Sequence, residues 1–141
     1  MRNMYRTHRG FTLLELLVVL LIIGLLAAFV GPKYFSQIGK SQAQVAKAQI
    51  EAFDKALDQY RLDTGHYPST AQGLAALFAQ PLNEPLWKGP YLKKAIPLDP
   101  WANAYVYTQP GSQPSRDYEI ISYGRDGKAG GVGEDADITS W

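Results

Sequence analysis

The sequence predicts an α+β fold: one long N-terminal helix whose second half packs on a small antiparallel sheet, closed by an acidic, glycine-rich tail. Three observations predict it. Residues 11–30 are apolar almost throughout. Ala46, Ile50, Phe53, Leu57 and Tyr60 then recur at spacings of 4, 3, 4 and 3, the stripe of a helix with one buried face. Downstream, residues 104–108 and 118–122 are rich in β-branched and aromatic side chains, which suit a half-buried sheet. At 141 residues the chain is one small domain plus an anchor.

The first element starts from a short basic leader. Arg2, Arg6 and Arg9 precede Gly10, and the apolar run begins at once with Phe11. Residues 11–30 are enough to cross roughly 30 Å of hydrocarbon as a helix. The arginines place the leader on the cytoplasmic side and send the rest across the membrane. An ordinary secretory signal is cut after its apolar stretch, yet Gly31-Pro32-Lys33-Tyr34 follows Val30 with no A-x-A-like site. The cut is therefore expected before the run, leaving 1–10 as a removable leader and the anchor in the mature chain. Glu15 sits inside the anchor, where a carboxylate costs roughly 2.5–3.5 kcal/mol on insertion scales and signals function by default. It reads equally as a group that snorkels to the headgroups.

Pro32 is expected to kink or loosen the helix near Ala28, because it lacks an N–H and crowds the carbonyl four residues back. The helix nevertheless continues. Glycine and proline are absent from Lys40 to Thr64, and Lys47, Glu51, Asp54, Lys55 and Asp58 occupy the face opposite the stripe. One helix over 11–64, ended by Gly65, would be roughly 80 Å long.

Residues 65–141 form the expected globular domain. Ser69 and Gln72 make a capping box ahead of a short helix over Thr70–Phe78 that buries Leu74, Leu77 and Phe78. Residues 79–103 hold six prolines or glycines at 81, 85, 89, 90, 97 and 100, with Trp87, Tyr91, Leu92, Ile96 and Trp101 between them. That is a folded loop whose aromatic side chains cover the helix. Ala104–Thr108 and Tyr118–Ser122 pair as a hairpin across a long loop.

Composition excludes several functions. There is no cysteine, and His8 and His66 are the only histidines, so neither a Ser-His-Asp or Cys-His set nor a zinc site can be assembled. The chain is read as no enzyme. Loss of the three leader arginines turns the formal +1 into −2, which argues against nucleic-acid binding. The tail is different. Asp126, Glu134, Asp135 and Asp137 fall within twelve residues, among five glycines from Gly124 to Gly133. Calcium takes six to eight oxygens from carboxylates and carbonyls on a chain free to curl. The spacing is not that of an EF-hand, and the composition is equally that of a solvated acidic loop.

Gly10-Phe11-Thr12-Leu13-Leu14-Glu15 behind an arginine-containing leader resembles the class III signal of type IV pilins and type II secretion pseudopilins. The resemblance implies that a prepilin peptidase cuts between Gly10 and Phe11 and N-methylates Phe11. It makes Glu15 the carboxylate that guides assembly, pairing with the Phe11 amine of a neighbouring subunit. The stretch Gly65-His66-Tyr67-Pro68-Ser69-Thr70-Ala71-Gln72-Gly73-Leu74-Ala75-Ala76-Leu77 is similar to the YPTTEQGLxAL pattern of major pseudopilins, the G subunits. Tyr67, Pro68, Thr70, Gln72, Gly73, Leu74, Ala76 and Leu77 match; Ser69 and Ala71 differ. Gly89-Pro90-Tyr91-Leu92 and Asp99-Pro100-Trp101 fit the same subfamily.

This pilin-like resemblance covers nearly the whole mature chain. It implies a lollipop with a C-terminal calcium loop. Asp126, Asp135 and Asp137 would give side-chain oxygens to Ca2+, and Tyr123 and Lys128 backbone carbonyls. Asp-Ala-Asp-Ile replaces the family's adjacent aspartates, which makes Asp135 the weakest of these and Glu134 its substitute. The implied function is the major subunit of a type II secretion pseudopilus, a homopolymer whose growth drives folded proteins across the outer membrane. Its partners would be further copies of itself, minor pseudopilins, the prepilin peptidase and the inner-membrane assembly platform. Its place would be the bacterial inner membrane, single-pass with a periplasmic domain, then a periplasmic filament. The alternative is a type IV pilin or competence pseudopilin for adhesion, motility or DNA uptake. A rival of another class is a tethered calcium-dependent enzyme or sugar-binding module.

Overall fold

A computed structural model describes residues 10–141, apart from the side chains at positions 35 and 36. The order of elements is α1 (Leu13–Thr64), a short 3-10 helix (Leu74–Leu77), β1 (Val106–Thr108), β2 (Glu119–Ser122), a second 3-10 turn (Gly133–Asp135) and β3 (Ile138–Thr139). The chain divides into two compact units between Gln37 and Ile38.

The first unit is helical. α1 begins at Leu13 rather than Phe11 because Thr12 takes the capping position: its carbonyl accepts the first intrahelical bond, from Leu16 N–H at 3.2 Å, and its Oγ1 accepts the otherwise orphaned Glu15 N–H at 3.2 Å. The helix runs unbroken through Pro32. Every large apolar side chain from Phe11 to Val30 is at least 46% exposed, and mean hydropathy peaks at 3.0. A helix apolar all round has no dry side in water.

In the second unit the stripe behaves as its spacing requires. Ala46, Ile50, Phe53, Leu57 and Tyr60 are all buried. They meet Leu74, Ala76 and Leu77 of the 3-10 helix, Tyr107 of β1 and Ile120 of β2 in one core. α1 stops at Gly65, which takes φ of 86° and donates its N–H to the Arg61 carbonyl at 2.8 Å, a left-handed helix end that suits glycine.

The capping box forms reciprocally. Gln72 N–H donates to Ser69 Oγ at 3.2 Å and Ser69 N–H to Gln72 Oε1 at 2.8 Å. The regular helix expected over Thr70–Phe78 does not follow. Gly73 takes φ of 60°, which interrupts it, and only Leu74–Leu77 wind as 3-10. With three residues per turn, Leu74 and Leu77 share the buried side, while Phe78 is 41% exposed instead of buried.

The proline-rich loop is folded, as expected. Trp87 Nε1 donates to the Ala76 carbonyl at 2.8 Å, Tyr91 N–H to the Leu77 carbonyl at 2.8 Å, and the Tyr91 hydroxyl to Asp63 at 3.0 Å. Tyr91 stands edge-on to both Tyr60 and Trp87, a favourable aromatic geometry. Asp99 is the fixed point at the far end of the loop. Its Oδ1 accepts the N–H groups of Trp101 and Asn103, at 3.0 and 2.8 Å, and its Oδ2 accepts the Ser122 hydroxyl at 2.6 Å.

β1 and β2 are antiparallel with Val106 opposite Ile121 and Thr108 opposite Glu119. Both are shorter than the stretches read from composition. β3 was not expected. It adds to the other edge of β2, with Ile121 opposite Thr139 and Ser122 opposite Ile138.

Candidate functional site

Two regions carry the residues singled out by the sequence. The first is the start of α1. Gly10 and Phe11 are both exposed. The arginines of the leader lie outside the described residues. Glu15 occupies the first turn of α1, exposed like its neighbours. There the positive end of the helix dipole favours a carboxylate by roughly 0.3–1 kcal/mol. Thr12 is the residue that sequence reasoning missed, although Thr12-x-x-Glu15 has the same capping spacing as Ser69-x-x-Gln72.

The second region is the acidic tail, and the structure distributes its carboxylates unequally. The Arg125 guanidinium reaches Asp135 through Nε at 2.9 Å and NH2 at 3.1 Å, a bidentate fork. Its NH1 donates to Glu134 Oε2 at 2.7 Å. These carboxylates hold the guanidinium above the ordinary arginine range, with the Asp135 hydrogen bond as the first cause. Asp126 Oδ1 accepts the Lys128 N–H at 3.1 Å. Asp137 Oδ2 accepts the Gly130 N–H at 2.9 Å, while its Oδ1 is buried with no hydrogen-bond partner.

The donors present can be compared with what calcium takes. An orphaned buried carboxylate oxygen is costly unless something cationic or protic meets it, and Asp137 offers one. Asp126, and the backbone carbonyls of Tyr123 and Lys128, add hard oxygens of the type calcium takes. Asp135 and Glu134 are engaged by Arg125 in this structure. Among the described residues no three acidic or histidine side chains converge on one point. The chain end is tied by protein contacts: β3 pairs with β2, Ser140 N–H donates to the Ile120 carbonyl at 3.1 Å, and the Arg116 guanidinium stacks 3.9 Å over the Trp141 ring.

The model of the family described as type II secretion system (T2SS), protein G matches residues 33–141. The chain belongs to that family. A prokaryotic N-terminal methylation motif matches residues 5–31, which takes in the end of the leader, the Gly10–Phe11 bond and Glu15. Relatives named type II secretion system core protein G include those of Pseudomonas aeruginosa, 46% identical over 96% of both chains, and Vibrio cholerae, 45% identical over 96% of this chain and 93% of the other. The crystal structure of the major pseudopilin from the type 2 secretion system of enterohaemorrhagic Escherichia coli is similar at a TM-score of 0.60 and 34% identity, over 76% of this chain and 92% of that one. The fold, one long N-terminal helix with a small antiparallel sheet, is the pseudopilin fold. The family is one of structural secretion subunits, so the chain is a type II secretion pseudopilin and not an enzyme. The pilin alternative is not the family matched.

Proposed function

We propose that the chain is the major subunit of a periplasmic pseudopilus, built as a homopolymer whose growth moves folded proteins through the outer membrane. The observation that carries this is the apolar segment 11–30, exposed throughout, with Glu15 in its first turn. Such a surface requires lipid or other helices of the same kind. Before assembly it anchors the protein in the inner membrane, single-pass, with residues 65–141 in the periplasm. A prepilin peptidase removes residues 1–10 and methylates Phe11. The new amine and Glu15 carry opposite charge in a low-dielectric setting, where pairing offsets much of the carboxylate's desolvation cost. Pairing Glu15 with the amine of the next subunit sets the stacking register. The assembly platform and minor pseudopilins are the partners this requires.

The acidic tail is the proposed calcium site, with Asp126 and Asp137 giving side-chain oxygens and Tyr123 and Lys128 carbonyls. Calcium there would neutralise the orphaned Asp137 oxygen and brace the turn between β2 and β3.

The test of processing is the intact mass of membrane-extracted protein. Loss of residues 1–10 with gain of one methyl group is expected; an uncut chain would leave a simple anchor and contradict the reading.

A further inference from the structure

We propose that Arg125 is the resident counter-ion of Asp135 and Glu134, a built-in cation that holds the acidic tail closed and seats it on α1 at Gly39. Three observations converge. The guanidinium makes three charge-assisted hydrogen bonds to the two carboxylates, one pair of them bidentate. The same turn is fixed through the backbone, since Arg125 N–H donates to the Glu134 carbonyl at 2.9 Å. Gly124 beside it takes φ of 64°, with the Glu134 and Ala136 carbonyls 2.8 and 2.9 Å from where a Cβ would stand. Lastly, the side chain of Glu134, from Cγ to Oε1, lies in the space left by Gly39, where a Cβ would collide with it, and Gly39 is buried.

Arginine is suited to this role because its planar fork meets a carboxylate with two parallel donors, where a lysine offers a point charge. One guanidinium between two acids also removes the repulsion that adjacent Glu134 and Asp135 would otherwise exert. The clamp stands whether or not the tail takes up a metal. Where it narrows the metal ligands to Asp126, Asp137 and carbonyls, it rests on the calcium reading above.

The experiment is thermal unfolding of the full-length protein in detergent with a calcium chelator, using Arg125→Gln, Asp135→Asn and the double variant. Arg125→Gln is expected to lower Tm by about 4 °C and Asp135→Asn by less, since it leaves the Arg125–Glu134 bond; the double should fall no further than Arg125→Gln, which already removes both contacts. Additive shifts, or none, would overturn the clamp. Gly39→Ala is expected to lower Tm although alanine is the better helix former; a raised or unchanged Tm would overturn the seating of Glu134.

Calorimetric titration with calcium alone separates the two readings. Asp135→Asn should keep the wild-type Kd within about threefold, while Asp126→Asn should weaken it at least about tenfold, as loss of a charged ligand does. Loss of binding in Asp135→Asn equal to that in Asp126→Asn would overturn the assignment of Asp135 to Arg125. If the wild type binds no calcium, the metal reading fails and the unfolding cycle in chelator still decides the clamp.

Discussion

The two halves of α1 share a secondary structure and differ in everything that packing decides. Leu20 and Leu57 are both leucines in mid-helix, yet Leu20 is 68% exposed and Leu57 fully buried. Around Leu57 apolar residues return every three or four positions and charged residues fill the gaps. Around Leu20 there are no gaps. One face of apolar residues can be satisfied within the chain; an apolar surface all round cannot, and must find its partner in lipid or in copies of itself. The same helix therefore holds the fold together at one end and exposes apolar side chains all round at the other.

The strongest way to sharpen that contrast is a matched pair of truncations. Leu57→Ala should destabilise the globular domain by about 2–5 kcal/mol, read as a fall in the midpoint of denaturant unfolding. Leu20→Ala should leave that midpoint within about 0.5 kcal/mol of wild type and show its effect only in filament yield. Equal losses of stability would break the comparison.

Next in size is the tail. With free calcium about a hundredfold above its Kd, binding adds roughly 2.7 kcal/mol to folding, so Asp126→Ala should lower Tm in calcium and not in chelator. Equal melting shifts in the two buffers would remove calcium from the account. Smaller still is Ser69→Ala, which leaves one capping donor unmet and should cost about 1 kcal/mol in the same unfolding assay.

The smallest effect expected is on acid stability. Glu119, buried at the start of β2, is held below the ordinary carboxylate range by the Ser112 hydroxyl first and the Arg116 guanidinium after it, against its own burial. Its folded pKa is depressed, so it contributes stability above the unfolded value near 4.5, which is lost as pH falls through the folded value. Glu119→Gln should flatten the stability curve below about pH 4.5; an unchanged acid slope would show that Glu119 contributes nothing there.

Periodicity made the core legible. The stripe from Ala46 to Tyr60 needed no partner to be recognised, and its five residues are buried as read. The capping box at Ser69 was legible for the same reason, being local. What failed was set by single backbone torsions or by contacts distant in sequence. Gly73 at positive φ converts an expected helix into a 3-10 turn and turns Phe78 outward. β3 spans only Ile138–Thr139, too short to carry an alternating pattern. Arg125 meets Asp135 only because glycines at positive φ fold the tail back on itself, and no spacing rule connects the two. Thr12 is the exception, a local capping signal masked by the apolar run beside it.

The most direct test is the exoprotein profile of a strain lacking this gene, complemented with wild type or Glu15→Ala. If the apolar half of α1 is an assembly surface registered by Glu15, secreted enzymes accumulate in the periplasm of the deletion strain, and only the wild type restores their release. Release restored equally by Glu15→Ala would contradict the role of that carboxylate. Normal export in the deletion strain would contradict the secretion function itself.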